Sequence, residues 1–288
     1  MTASLHSMIS KTALQPVPTS ITTLADKIRA EHAGVLAILA YGSAFRDAAP
    51  ADTLIDFYIL TKDGSGVSSN LASRLGCRFV PPNVYYAECN VQGETSRAKY
   101  AVLPFYKFQS LVSRQTGNPY FWARFAQPCR IVWCLDATVK TEVIATLAKS
   151  LATAFANAMG LSQNQTIQAT WTKLFEQTYR TELRPESTSR ATQIFSANQD
   201  YFETVSRLLA ETTPVHANWT WRVFQGKCLS VARLIKAAFT FQGGADYIAW
   251  KIKRHSGVAI EVKDWHRRHP LLAALVLMPQ LLWRGAVK

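Results

Sequence analysis

Two short apolar runs joined through a glycine-serine turn carry the residue types that phosphoryl chemistry needs. Val35 to Tyr41 reads as an apolar strand, Gly42-Ser43 as a turn, and residues 54–61 as a second apolar strand bearing one carboxylate, Asp56. The Gly-Ser pair lets backbone N–H groups approach a triphosphate with no side chain in the way, and the Ser43 hydroxyl adds a donor. A carboxylate between Ile55 and Phe57 on a buried strand is costly unless a cation compensates it, and Mg²⁺ bridging carboxylate and phosphate does so. Asp56 is therefore the first metal-ligand candidate, and metal-assisted nucleotidyl transfer is the chemistry it suits. The plainer alternative is a common turn followed by an Asp that faces solvent.

Polymerase-type nucleotidyltransferases usually carry two carboxylates, one residue apart, on this strand. Here the second position is Tyr58, so a further ligand must come from elsewhere. The run Tyr179-Arg180-Thr181-Glu182-Leu183-Arg184-Pro185-Glu186 places carboxylates and guanidiniums together at a helix end, with Pro185 stopping the helix. Arg184 offers a fork matched to phosphate oxygens, and Glu182 can reach a metal held by Asp56. A solvated, self-neutralising charge cluster is the alternative.

After Asp56 come, in order, Pro81-Pro82-Asn83-Val84-Tyr85-Tyr86, Lys99-Tyr100-Ala101-Val102, the run Tyr120 to Pro128, and Tyr179 to Arg184. Taken together, this succession resembles the mitochondrial-type CDP-diacylglycerol synthases, soluble phosphatidate cytidylyltransferases with relatives in bacteria, over about residues 35 to 190. The chain departs from that pattern at Ala101 and Ala123, which stand for glycines, at Gln127, which stands for Lys, and at Glu182, which stands for Asp. Glu for Asp keeps a carboxylate but moves it by one methylene, and Gln127 removes a cation.

The resemblance implies an α+β fold: a polymerase-type nucleotidyltransferase mixed sheet with helices, followed by a mostly helical second domain. It implies CTP and phosphatidate as substrates and Mg as the cofactor. In that reaction a phosphate oxygen of phosphatidate attacks the α-phosphorus of CTP in line, and pyrophosphate leaves. The attacking phosphate is already largely ionised near neutral pH, so no dedicated base is required. Asp56 and Glu182 would hold the metal, Gly42 and Ser43 would cradle the triphosphate, and Lys99, Arg124 and Arg184 would neutralise phosphates. Arg46, a helical turn beyond the Gly-Ser pair, is a further clamp. The expected setting is the cytoplasm, peripheral on the inner face of a bacterial inner membrane, or alternatively the matrix face of the mitochondrial inner membrane.

Composition agrees with a soluble two-domain enzyme. A chain of 288 residues exceeds the usual single-domain size, and 48% hydrophobic residues suffice for a sizeable core. With 32 Lys+Arg against 19 Asp+Glu, the formal charge of +13 favours a polyanionic partner: nucleotide, nucleic acid or an anionic membrane surface. Excess charge that merely aids solubility is the alternative. Five cysteines with no CxxC and no neighbouring His pair argue for reduced thiols and against a zinc site. Cys129 and Cys134 lie in an apolar run and read as core or strand residues. The first 25 residues hold Lys11 as their only Lys or Arg and no acidic residue, which reads as a disordered tail rather than a transit peptide.

Two compositional regimes set the organisation. Up to about residue 137, short apolar runs between Gly, Pro and Asn predict a helix near 21–33, strands near 35–41, 54–61, 84–89, 99–104 and 130–135, and a helix near 106–115. Beyond it, helices are predicted over 139–159, 165–180, 190–211, 222–241, 244–255 and 264–283. This divides the chain into a nucleotidyltransferase domain at 1–137 and a helical domain at 138–288.

Near the C-terminus, the basic clusters 250–255 and 263–269 interleave with Trp and precede the apolar stretch Pro270 to Trp283. That stretch is 14 residues long and contains Pro279, too short and too broken to span a hydrocarbon core of about 20 helical residues. It suits an anionic membrane interface, with Trp265, Arg267, Arg268, Leu271, Leu272 and Trp283 as contacts. Docking on the protein's own core fits equally well. The same clusters would suit stacking on single-stranded nucleic acid, but no RNA-binding signature accompanies them, so no specific nucleic acid is expected. Two other readings stay open: a nucleotidyltransferase acting on RNA or protein, and a non-catalytic membrane or nucleic-acid adaptor.

Overall fold

Strands β1 (Val35–Tyr41) and β2 (Ile55–Thr61) are almost continuously apolar and almost wholly buried, the pattern of strands covered on both faces. They lie inside a five-stranded mixed sheet ordered β3-β4-β2-β1-β5, with β3 at Asn83–Val91, β4 at Glu94–Pro104 and β5 at Cys129–Cys134. β1 runs antiparallel to β2 and β5, β3 runs antiparallel to β4, and only β2 and β4 pair in parallel. This computed structural model describes residues 2–42, 53–91, 93–162, 165–183, 188–240, 243–256 and 261–268. The α+β class expected from the sequence holds: a mixed sheet with many helices.

Alternation along the strands sends successive side chains to opposite faces. Tyr100 on β4 turns to one face, where its hydroxyl meets Glu31 at 3.1 Å just after α2 (Thr19–Ala30). Tyr58 on β2 turns to the other, where its ring packs edge-on against Phe125 at a centroid distance of 4.8 Å. On β3, buried Asn83 and Tyr85 do structural work. Asn83 donates to Ser73 on α3 (Leu71–Phe79), and the Tyr85 hydroxyl donates to the Val67 carbonyl.

The N-terminal segment is not a tail. Residues Thr2–Ala13 form helix α1, which buries Leu5, Ile9 and Ala13 against the sheet edge and the long helix α6 (Ala137–Leu161). Spacing of i, i+4, i+8 places those three on one face, and that burial outweighs the Ser/Thr-rich composition. The expected helix at 190–211 is two helices, α8 (Thr188–Ser196) and α9 (Gln199–Leu208), with Asn198 at the break. α3 and the short helix α5 (Trp122–Phe125) were not expected, while α4 (Phe105–Leu111) was. The remaining helices are α7 (Ile167–Arg180), α10 (Trp219–Thr240), α11 (Gly244–Ser256) and α12 (Asp264–Arg268).

One buried apolar cluster runs from Leu5 on α1 through the sheet to Leu209 after α9, so the helices beyond residue 137 share it with the strands. Ala137–Leu161 is, among the described residues, the helix long and apolar enough to cross a membrane, but 72% of its apolar window is buried inside the protein. It is a core helix, capped by Asp136, whose side chain accepts from the Val139 N–H at 2.8 Å. Cys129 and Cys134 sit on β5 as expected, and burial pushes their thiols up to about 12 and about 11.

Trp171 links this core to the site, because it fixes α7, the helix that leads to Glu182. Its ring lies among Phe155, Phe175 and Phe202, and its indole N–H donates to Ser206 at 2.9 Å. Replacing fully buried Trp171 by Ala should cost about 3–5 kcal/mol, read as a lower urea midpoint. An unchanged midpoint would show that α7 is held by other contacts.

Candidate active site

The sheet register brings the first chemical group into place. Asp56 on β2 lies opposite Tyr41 on β1 and alongside Lys99 on β4, so the three project from one face of neighbouring strands. The Lys99 ammonium stands 3.4 Å from the Asp56 carboxylate, and both side chains are partly exposed, at 26% and 30%. Gly42 follows β1 with φ +96°, a left-handed conformation that favours glycine, and a Cβ there would make an ordinary contact with Asp56 Oδ2 at 3.7 Å, so conformation rather than space selects glycine. The turn therefore approaches the carboxylate by backbone alone.

Tyr58, two residues along on the same face, holds the second group. Its hydroxyl accepts from Arg124 Nη1 at 3.1 Å, while Arg124 Nη2 stands 3.5 Å from Glu182 Oε1. Arg124 belongs to the four-residue α5, too short to persist alone. Burial of Trp122 and Phe125 fixes it, as does the Ser150 hydroxyl of α6, which donates to the Trp122 carbonyl at 2.9 Å. Glu182 sits just past α7, in a turn closed by its N–H to the Tyr179 carbonyl at 2.9 Å. The arginine thus bridges the sheet and the helical part of the chain.

Burial works against the Arg124 charge, but Tyr58, Tyr120, Tyr41 and Glu182 around it more than offset this and hold its pKa above the ordinary arginine value. Burial, with Asp56 next in weight, pushes the Tyr41 phenol up, and burial does the same for Tyr58. Tyr120 behaves oppositely. The guanidiniums of Arg124 and Arg233 lie over its ring, 4.3 and 3.8 Å from the centroid, and outweigh the effect of burial to hold its phenol below the usual value.

Gly42, Asp56, Lys99, Arg124 and Glu182 all line a single cleft of about 240 Å³, together with Gln127, Tyr179 and Arg190. Five of the expected site residues therefore converge. Ser43, Arg46 and Arg184 lie outside the described residues, as do Leu271, Leu272 and Trp283. Trp265, on α12, is 40% exposed. Arg267 directs its guanidinium to Asp246 at 2.9 Å and Asp264 at 3.0 Å, and Arg268 ends the helix.

Sequence reasoning missed Arg190, Tyr120 and Arg233. Arg233 had a readable signal: with Lys236, it is one of only two charges between Cys228 and Thr240 in an otherwise uncharged half-helix. Arg190 had none, because nothing in its neighbourhood predicts that the start of α8 returns to the cleft.

Among the described residues there is no group of three or more His, Cys, Asp or Glu side chains arranged to hold a metal ion. Mg²⁺ does not need one. It is commonly bound by one or two carboxylates completed by substrate phosphates and water. Asp56 and Glu182, hard oxygen donors lining the same cleft, fit that requirement.

No protein-family model matches this chain, and no curated protein sequence does. Among solved structures, it is similar to a nucleotidyltransferase-like protein from Exiguobacterium sibiricum, at 10% identity and a TM-score of 0.28, over 92% of each chain.

Proposed function

We propose that the protein is a nucleotidyltransferase, and more specifically a CTP:phosphatidate cytidylyltransferase acting at an anionic membrane surface. The observation that carries this reading is the convergence of Gly42, Asp56, Lys99, Arg124 and Glu182 on one cleft. They are spread from the end of β1 to the end of α7; Gly42, Asp56 and Glu182 have types that suit a triphosphate or its metal, and Lys99 and Arg124 are the phosphate-neutralising cations that the family resemblance implies. A fortuitous surface charge cluster gives no reason for a left-handed glycine against the carboxylate and a buried arginine bridging Tyr58 to Glu182.

In the proposed reaction an acceptor phosphate oxygen forms a bond to the α-phosphorus of CTP. The bond from that phosphorus to the oxygen bridging to the β-phosphorus breaks, and the electron pair leaves with pyrophosphate. Gly42 presents backbone to the phosphates, Lys99 and Arg124 neutralise their charge, and Tyr58 holds Arg124 in position. When bound, Mg²⁺ at Asp56 and Glu182 would polarise the phosphoryl group and offset charge on the leaving pyrophosphate.

Release of pyrophosphate from CTP and phosphatidate vesicles in the presence of Mg²⁺ tests the reading directly. The expected result is turnover with CTP, and none when lipid is left out. Turnover with ATP and an RNA or protein acceptor would replace the lipid assignment while keeping the reaction class. Absence of any Mg²⁺-dependent nucleotide binding would remove both and leave a non-catalytic adaptor.

A further inference from the structure

The candidate active-site cleft has a neighbour. A second cleft of about 290 Å³ shares Val84, Tyr120, Arg124 and Glu182 with the first, and its far side is α10, which contributes Arg233, Leu234, Lys236 and Ala237. Four shared walls mean that groups bound in the two clefts meet at Arg124 and Glu182. We propose that the second cleft is the acceptor compartment, and that it takes a phosphomonoester carrying aliphatic chains. Its phosphate would sit at Arg124 and Arg233, and its chains would lie along Val84, Leu183, Leu234 and Ala237. This assignment rests on the reading of the first cleft as the nucleotide site.

The two cations of α10 separate cleanly by what they already do. Lys236 donates to the carbonyls of Val80 and Pro82, each at 2.6 Å, and to Asn83 Oδ1 at 2.9 Å, which uses all three donors of an ammonium group. It is an anchor for α10, and burial lowers its pKa to about 8. Arg233 has a different balance. Its Nε donates to the Pro81 carbonyl at 3.0 Å and its guanidinium stacks on Tyr120, and among the described residues these contacts leave its Nη groups without a hydrogen-bond partner. A planar fork of N–H donors beside the shared wall is suited to phosphate oxygens.

The apolar part of the cleft specifies the rest of the ligand. Leu183 and Leu234 remain 46% and 64% exposed at its rim, a surface that a small water-soluble phosphate would leave uncovered. The same helix presents Trp221, Phe224, Val231, Ile235 and Phe239 outward, all exposed and at steps of 3, 7, 4 and 4 residues that keep them along one face. An amphiphile whose chains leave the cleft at Leu234 would emerge beside that row, where lipid can cover it. α10 is held close enough for this by Gly226, where a Cβ would lie 2.6 Å from the Thr181 carbonyl, one residue before Glu182.

Calorimetry on the full chain tests the assignment with dioctanoyl phosphatidate, glycerol 3-phosphate and CTP as separate probes. Wild type should bind dioctanoyl phosphatidate at least about tenfold more tightly than glycerol 3-phosphate, because only the former fills the apolar part. Arg233→Gln removes the charge, and Ala237→Phe fills the chain path. Each should weaken dioctanoyl phosphatidate by at least about tenfold with CTP affinity unchanged. Should Ala237→Phe lose the fold by circular dichroism, Leu234→Asp at the exposed rim makes the same test. Unchanged dioctanoyl phosphatidate affinity in these variants, with CTP still bound, would overturn the acceptor assignment alone. Equal affinity for glycerol 3-phosphate would overturn the chain-binding half of it. Absence of CTP binding by wild type, with dioctanoyl phosphatidate binding still weakened by Arg233→Gln, would sink the nucleotide reading and overturn the acceptor role, leaving the second cleft as an amphiphile site only.

Discussion

Replacing Asp56 by Asn should lower turnover by at least about a hundredfold, equivalent to about 2.7 kcal/mol of transition-state stabilisation, with the fold intact. The substitution keeps shape and hydrogen-bonding capacity and removes only the negative charge. Two consequences follow from the geometry. Lys99, 3.4 Å away, loses its partner but keeps its phosphate-binding charge, so nucleotide affinity measured without Mg²⁺ should hold or rise. The Mg²⁺ dependence of nucleotide binding should flatten, because the carboxylate beside Gly42 is gone. Near-normal turnover by folded Asp56→Asn protein would remove this residue from the mechanism. A loss of turnover with unchanged Mg²⁺ dependence would make Asp56 a positioning partner of Lys99 instead.

The part of the site on the sheet was legible because strand chemistry is local. A continuous apolar run bounded by a turn residue reads as a buried strand, and a carboxylate inside such a run needs a reason. β1, β2 and the position of Asp56 follow from that alone. What the sequence could not provide was the parallel pairing of β2 with β4, which sets Lys99 beside Asp56 across more than forty intervening residues. The order of motifs supplied the association, and register supplied the distance. Tyr58 shows the opposite case. Read as the absence of a second carboxylate, it is in fact the hydroxyl that holds Arg124, a role visible only once α5 is packed over the sheet.

Tertiary burial accounts for the other misses. α1 looks like a tail because its residues are weakly hydrophobic and nearly uncharged, yet Leu5, Ile9 and Ala13 at helical spacing find a partner in α6. The break between α8 and α9 has no Gly or Pro to announce it. Asn198, whose side chain donates back to the Ile194 carbonyl at 3.0 Å, marks the break instead. Arg233 became a site residue only through the approach of α10 to α7, which depends on the absent side chain of Gly226. Local pattern finds elements and single groups. Where helices cross is decided by backbone clearance between residues far apart in the chain.

Arg124→Ala should reduce turnover by about a hundredfold to a thousandfold, and Arg124→Lys should recover no more than a small part of it. The arginine uses separate nitrogens on Tyr58 and Glu182 while facing the cleft, and a single ammonium cannot occupy those positions together. A competing account is that Arg124 serves only to offset the charge of Glu182, whose side chain is 16% exposed and would lose a charge partner in a largely buried setting. The double variant Arg124→Ala/Glu182→Gln distinguishes the two. If neutralisation is the whole role, removing the carboxylate as well should restore both the urea midpoint and the turnover of the Arg124→Ala protein. If Arg124 binds phosphate and Glu182 holds the metal, the midpoint should recover while turnover stays at or below that of either single variant. Recovery of turnover in the double variant would reduce Arg124 to a structural counter-ion and leave phosphate binding in the first cleft to Lys99 and Arg190.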